Sequence, residues 1–161
     1  WPVPEDAQLA LFEAELAAAQ EHSLPILVHD REAHAETYAL LKRYRPRGIL
    51  HAFSGSADDA LWIARQGMLL GFGGALTFKN ARRAVEAVAA LSLENIVLET
   101  DCPYMAPEPY RGKRCDSTML PRMAEKLAEI KGVSPQRLAD QTFENACAVY
   151  RIPASDLALQ G

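Results

Sequence analysis

Leu9, Phe12, Leu16 and Ala19 recur at helical spacing inside an Ala-, Glu- and Gln-rich stretch, which predicts an amphipathic helix over about residues 5–22. Pro25, Ile26, Leu27 and Val28 follow as a short, wholly apolar run opened by a turn signal, the mark of a strand buried on both faces. The alternation then repeats. A helix near 31–44 precedes a strand at Gly48, Ile49 and Leu50, and a helix near 57–66 that Ser56 and Asp59 can cap precedes a strand at Met68 to Phe72. A helix near 80–91 and a strand at Ile96, Val97 and Leu98 complete the series. Four βα units in a row predict an α/β fold, a parallel sheet with helices outside it.

After the last strand the rhythm stops. Pro103, Pro107 and Pro109 lead through Arg111, Gly112, Lys113 and Arg114 to Ser117, and a loop this long in a compact domain is usually functional or disordered. Leu120, Met123, Ala124, Leu127 and Ile130 mark one closing helix; Pro135 after Ser134 starts a second that ends near Tyr150.

A length of 161 residues suits one domain with a real core, read here as residues 1–161. Apolar residues make up 49%, and 17 Lys and Arg stand against 21 Asp and Glu, which excludes a disordered, collagenous or histone-like chain but leaves room for a local basic cluster. No apolar run is long enough to span a membrane, and Trp1 to Asp6 lack signal-peptide order, so no membrane association and a cytoplasmic location are expected. Cys102, Cys115 and Cys147 are odd in number and widely spaced, as expected of free thiols in a reducing compartment. The chain opens on Trp1 rather than Met, and an upstream piece is expected.

The residues that carry chemistry fall at one place in each unit. His29 follows Leu27 and Val28, His51 follows Ile49 and Leu50, and Asp101 follows Leu98; these are carboxyl ends of strands, where parallel α/β folds open their sites. Imidazole nitrogen and carboxylate oxygen together suit Zn²⁺, Mn²⁺, Fe²⁺ or, less typically, Mg²⁺. His22 and His34 fall on helices among polar neighbours and read as solvated. Asp30 and Arg31 could orient His29, contact substrate or begin the next helix. Glu99 lies two residues before Asp101 on the same side of the strand, as a second carboxylate supporting the metal or as a buried ion-pair partner. Arg111, Lys113 and Arg114 beside such a site would suit a phosphate-bearing substrate, and otherwise form a solvated loop.

Taken together, the runs Pro25 to Arg31 (PILVHDR), Leu50 to Gly55 (LHAFSG), Gly71 to Gly74 (GFGG), Leu98 to Pro107 (LETDCPYMAP), Arg111 to Arg114 (RGKR) and Glu144 to Ala146 (ENA) resemble the TatD family of metal-dependent deoxyribonucleases. They stand in the family's order and cover nearly the whole chain. The resemblance implies a TIM (β/α)8-barrel hydrolase of the amidohydrolase type that cleaves phosphodiesters in DNA, single-stranded or at 3′ ends, with one or two divalent cations (Mg, Mn or Zn). It implies that His29, His51 and Asp101 are metal ligands and that Asp101 also orients or deprotonates the attacking water.

The family's opening His-x-His pair and its Gly-Glu-x-Gly-Leu-Asp run have no counterpart in this sequence. The expectation is therefore a partial barrel of four to five C-terminal βα units, since a full barrel takes about 250 residues. Its two unpaired edges and open apolar face would be covered by a second copy or by a missing N-terminal segment. Smaller departures are Ala52 where the family often has Cys, Cys102 where it often has Ala, and Cys115-Asp116 where it often has Asn-Glu. An amide or ester hydrolase of the same superfamily, or a truncated product without activity, are the competing readings.

Overall fold

The computed structural model describes residues 3–153. Helix α1 (Glu5–Glu21) leads into strand β1 (Ile26–His29), and α2 (His34–Tyr44), β2 (Gly48–His51), α3 (Ala57–Arg65), β3 (Leu69–Phe72), α4 (Arg82–Ala90) and β4 (Ile96–Leu98) follow in alternation. Helices α5 (Leu120–Lys131) and α6 (Pro135–Tyr150) close the chain. All strand pairs are parallel and the order is β1-β2-β3-β4, so each unit is laid beside the one before it. In register, His29 stands beside His51 and Phe72 beside Leu98, which brings the carboxyl ends of the strands to one rim.

Alternation along the strands divides two faces, because successive side chains point to opposite sides. Val28, Leu50, Leu70, Phe72 and Ile96 face the helices and form the main core with Leu16, Leu41, Ile63, Val88, Leu127 and Leu138. Each such buried Leu or Ile contributes roughly 1.5–3 kcal/mol by leaving water. On the other face Ile49, Leu69 and Val97 pack with Ala146 and Val149 of α6. Asn145, also on α6, donates from its amide to the carbonyls of Leu93 (2.7 Å) and Ile96 (2.8 Å), which clamps the helix under the entry to β4.

The expected apolar inner face is thus partly covered by the chain's own last helix, while β1 is wetter than its sequence implies. Leu27 is 58% exposed and His29 is exposed, so β1 is buried on one face only. Its apolar run is matched by a neighbour on one side and by nothing on the other among the described residues.

Local signals explain the element ends. Ser56 accepts from the Asp59 N–H and Asp59 accepts from the Ser56 N–H, the reciprocal capping box expected for α3. Helix α2 starts at His34 rather than near residue 31, because Glu32 sits in the left-handed region (φ 58°) and breaks the helical path. Lys131 donates to the carbonyls of Val88, Ala89 and Leu91, satisfying acceptors left open at the end of α4. A 3-10 turn at Gly74–Thr77 precedes α4.

The long segment after β4 is ordered by its own contacts. Tyr104 N–H donates to Asp101 O, Cys115 N–H to Pro103 O and Glu108 N–H to Thr77 Oγ1. Ala106, Cys115 and Met123 form a small core beneath it with Tyr110 and Leu120. Gly74 lets this segment approach, since a Cβ there would lie 1.8 Å from the Met105 carbonyl oxygen. The cysteines are free thiols, as expected. Among the described residues no helix is long and apolar enough to cross a membrane.

Candidate metal centre

β2 and β4 end in His51 and Leu98, and β3 lies between them with Gly71 on the same face. Glu99, the residue after β4, extends across β3 to reach β2. Its Oε2 accepts from His51 Nδ1 at 2.9 Å, and its Oε1 accepts from the Ala52 N–H at 2.6 Å. The crossing requires glycine at position 71: a Cβ there would sit 1.9 Å from Glu99 Oε2. Ala52 turns through the left-handed region (φ 49°) as its N–H meets the carboxylate.

Burial pushes the Glu99 carboxyl above its usual range; the His51 charge and the hydrogen bonds from Ala52 and His51 oppose that rise, and the nearby Asp101 charge adds to it. Of the two neutral imidazole tautomers, only the Nδ1–H form donates to an ionised Glu99. Nε2 is then a lone-pair donor, and it faces Asp101 Oδ1 at 3.5 Å. A neutral imidazole lone pair opposite a carboxylate oxygen is repulsive unless a cation or proton stands between them. The donor set therefore fits a divalent cation: imidazole nitrogen, carboxylate oxygen, and a second carboxylate behind the imidazole to raise its basicity. His29 lies alongside, its ring centroid 5.7 Å from that of His51 and tilted by 38°. Among the described residues these donors do not yet close into a group of three at ligating geometry.

The sequence-predicted residues divide accordingly. His51, Glu99 and Asp101 are brought together, with His29 beside them. The Asp30 carboxylate does not turn to His29; it is buried and accepts from the Ala33 N–H (3.3 Å) and lies 2.5 Å from His34 Nδ1. His34, half exposed, is thereby a hydrogen-bond partner of Asp30 and not solvated alone, and it stacks in addition on Tyr38 with centroids 5.7 Å apart. Arg31 is exposed, with no side-chain hydrogen bond among the described residues, and lines a groove beside His29. In the basic loop, Arg111 lays its guanidinium 4.4 Å from the centroid of Phe78, Lys113 stands over Tyr110 at 5.7 Å, and Arg114 lies near enough to Asp116 to help lower that carboxyl. Of the three, Arg111 is the one the contacts tie to the site, because Phe78 lines a cavity of about 380 Å³ that Glu99 and Asp101 also line.

Phe78, Asn80 and Arg83 carry no motif signal, and Gly71 is legible only as part of the Gly71 to Gly74 run. They become visible when the three-dimensional path of Glu99 and the adjoining cavity are known.

A parallel α/β sheet whose carboxyl rim gathers histidines and carboxylates defines a protein with its site over the strand ends. The chain belongs to the TatD-related DNase family, whose model matches residues 2–151. It is 38% identical over 152 residues to the uncharacterized metal-dependent hydrolase YabD of Bacillus subtilis, covering 92% of this chain and 60% of that protein. It is 36% identical to the uncharacterized metal-dependent hydrolase YcfH of Escherichia coli, covering 86% and 53%. The crystal structure of the TatD homologue YjjV of Escherichia coli superposes with a TM-score of 0.86 at 27% identity, over 92% of this chain and 58% of that one. The chain thus spans 53–60% of the length of these proteins.

Proposed function

We propose that this chain carries part of the metal centre of a hydrolase that cleaves phosphodiester bonds in DNA, single-stranded or at 3′ ends. Its four strands are read as successive units of a (β/α)8 barrel. His29, His51 and Asp101 would hold the cation, and Glu99 would position His51 through Nδ1. One or two divalent cations, Mg, Mn or Zn, when bound supply charge for the phosphoryl oxygens and a more acidic water.

The chain's own residues account for the remaining steps. Glu99 holds His51 by Nδ1, which leaves Nε2 facing Asp101. Asp101, with its side chain half exposed, is free to turn toward a nucleophilic water and accept its proton. Arg111, held on the Phe78 ring, would offer its guanidinium to phosphate oxygens, with Lys113 and Arg114 further along the loop.

The carrying observation is the line Glu99–His51–Asp101, in which one imidazole is gripped by one carboxylate and faces another. In the protein that carries this chain, shortening of labelled single-stranded DNA is expected to disappear on exhaustive chelation and in Asp101→Ala. Cleavage that survives both overturns the reading.

A further inference from the structure

Cys102 and Cys115, both departures from the family's runs, meet at the base of the basic loop. The chain doubles back there: Tyr104 N–H donates to Asp101 O (2.8 Å), Tyr110 N–H to Pro107 O (2.7 Å) and Lys113 N–H to Tyr110 O (3.0 Å), and Cys115 N–H then reaches Pro103 O at 2.9 Å. The residue after Cys102 is thus bonded to Cys115, and the two side chains lie in hydrogen-bonding contact. Their surroundings differ. Cys102 is exposed, and its thiol donates to Thr100 Oγ1 at 3.1 Å. Cys115 is 1% exposed and packs with Ala106 and Met123. Burial, the hydrogen bond to Cys102 and the nearby charges of Asp116 and Asp101 push its thiol up to about 11. The third cysteine, Cys147, is buried on α6.

We propose that Cys102 and Cys115 are a peroxide-sensitive pair that closes into a reversible disulfide. The inference stands on their contact and not on the hydrolytic reading of the metal centre. Cys102 reacts first, because it is the one that solvent reaches. Its sulfur attacks hydrogen peroxide, the O–O bond breaks, and a sulfenic acid and water are formed. The Cys115 sulfur then attacks that of Cys102; the S–S bond forms, the S–O bond breaks, and the oxygen leaves as a second water with the Cys115 proton. Over both steps the thiols give up two electrons and the peroxide takes them. Side chains already in contact need rotation rather than movement of the strands, with Cys102 leaving Thr100. Asp101 precedes Cys102 and Arg114 precedes Cys115, so the link ties the chain at a candidate metal donor to the end of the basic run. Arg111 and Lys113 then lie inside a closed ring.

In the protein that carries this chain, brief exposure to hydrogen peroxide is followed by alkylation under denaturing conditions and peptide mass spectrometry. Cys102 and Cys115 should be lost to alkylation together and recovered in one linked peptide, while Cys147 stays alkylatable, and dithiothreitol should restore both thiols. Cys115→Ala should leave Cys102 as a sulfenic acid that dimedone traps, and Cys102→Ser should leave Cys115 an unreacted thiol. Closing a loop of this size restricts the unfolded chain and should raise Tm by about 5 °C. Oxidation of Cys102 without the link in the unmutated protein, a link to Cys147 or between two molecules, or a Cys115 that oxidises as readily in Cys102→Ser would overturn the assignment. A Tm that the link leaves unmoved would overturn the restraint of the loop.

Discussion

The two edges of the sheet are built differently. At β4 the strand is dry, Asn145 bonds two carbonyls at its entry, and Ala146 and Val149 cover the inner face beside it. At β1 the inner face meets water: Leu27 and His29 are exposed, and the buried Asp30 turns away to the start of α2. The candidate metal donors inherit this gradient. His51 is gripped at Nδ1, Ala52 and Gly71 are shaped around the gripping carboxylate, and His29 makes no side-chain hydrogen bond among the described residues. A site can therefore be pre-organised on one side and dependent on its surroundings on the other, and the side with the buried carboxylate is the one that fixes a ligand before a cation arrives.

The largest effect should come from breaking the built side. Glu99→Ala and Gly71→Ala, which displace the same carboxylate by deletion and by collision, should each weaken Mn²⁺ binding about 10- to 100-fold in calorimetric titration. A Gly71→Ala variant with undiminished affinity would show that the path across β3 is incidental.

Stability should follow the same gradient. Asn145→Ala leaves one buried and one partly buried carbonyl without their donor and should cost about 2 kcal/mol in urea unfolding. Asp30→Ala, at the open edge, removes bonds to one backbone N–H and to a half-exposed His34, and should cost about 1 kcal/mol. Equal losses would erase the distinction between the edges.

The smallest effect lies on α3, which belongs to neither edge. Burial would raise the Asp59 carboxyl, but the Ser56 hydroxyl and backbone bonds prevail, aided by His34 and Arg83, and hold it below its ordinary value of 3.8. A depressed carboxyl contributes stability that is present above that value and is lost as pH falls through the folded-state value. Ser56→Ala should therefore cost about 1 kcal/mol near neutrality and progressively less on acidification below pH 3.8. A cost independent of pH would remove Asp59 from the cap.

Much of this architecture is legible in the residues. The apolar runs opened by Pro25 and Gly48 mark strands to within a residue, because a parallel sheet needs continuous apolar stretches, and the polar residue that ends each run marks the rim. The role of Glu99 was left open because its partner His51 lies 48 positions away in the chain, a separation no local pattern spans. The Gly71 to Gly74 run is visible, but the room that Gly71 leaves for a carboxylate arriving from another strand is not. The Asp30 and His34 pair did leave a signal, an acid four residues before a base, but polar neighbours on a helix favour the solvated reading. The Gly74–Thr77 turn is too short to show a period.

In the proposed site Glu99 holds His51 as the Nδ1–H tautomer, with Nε2 open to a cation. Long-range ¹⁵N–¹H correlation spectra of the histidine rings at neutral pH, recorded before and after Zn²⁺ is added, test it most directly. A protonated Nδ1 on His51 is expected without metal and a displaced Nε2 resonance with it, both lost in Glu99→Ala. A His51 protonated at Nε2, or a ring whose resonances ignore the metal, would contradict it.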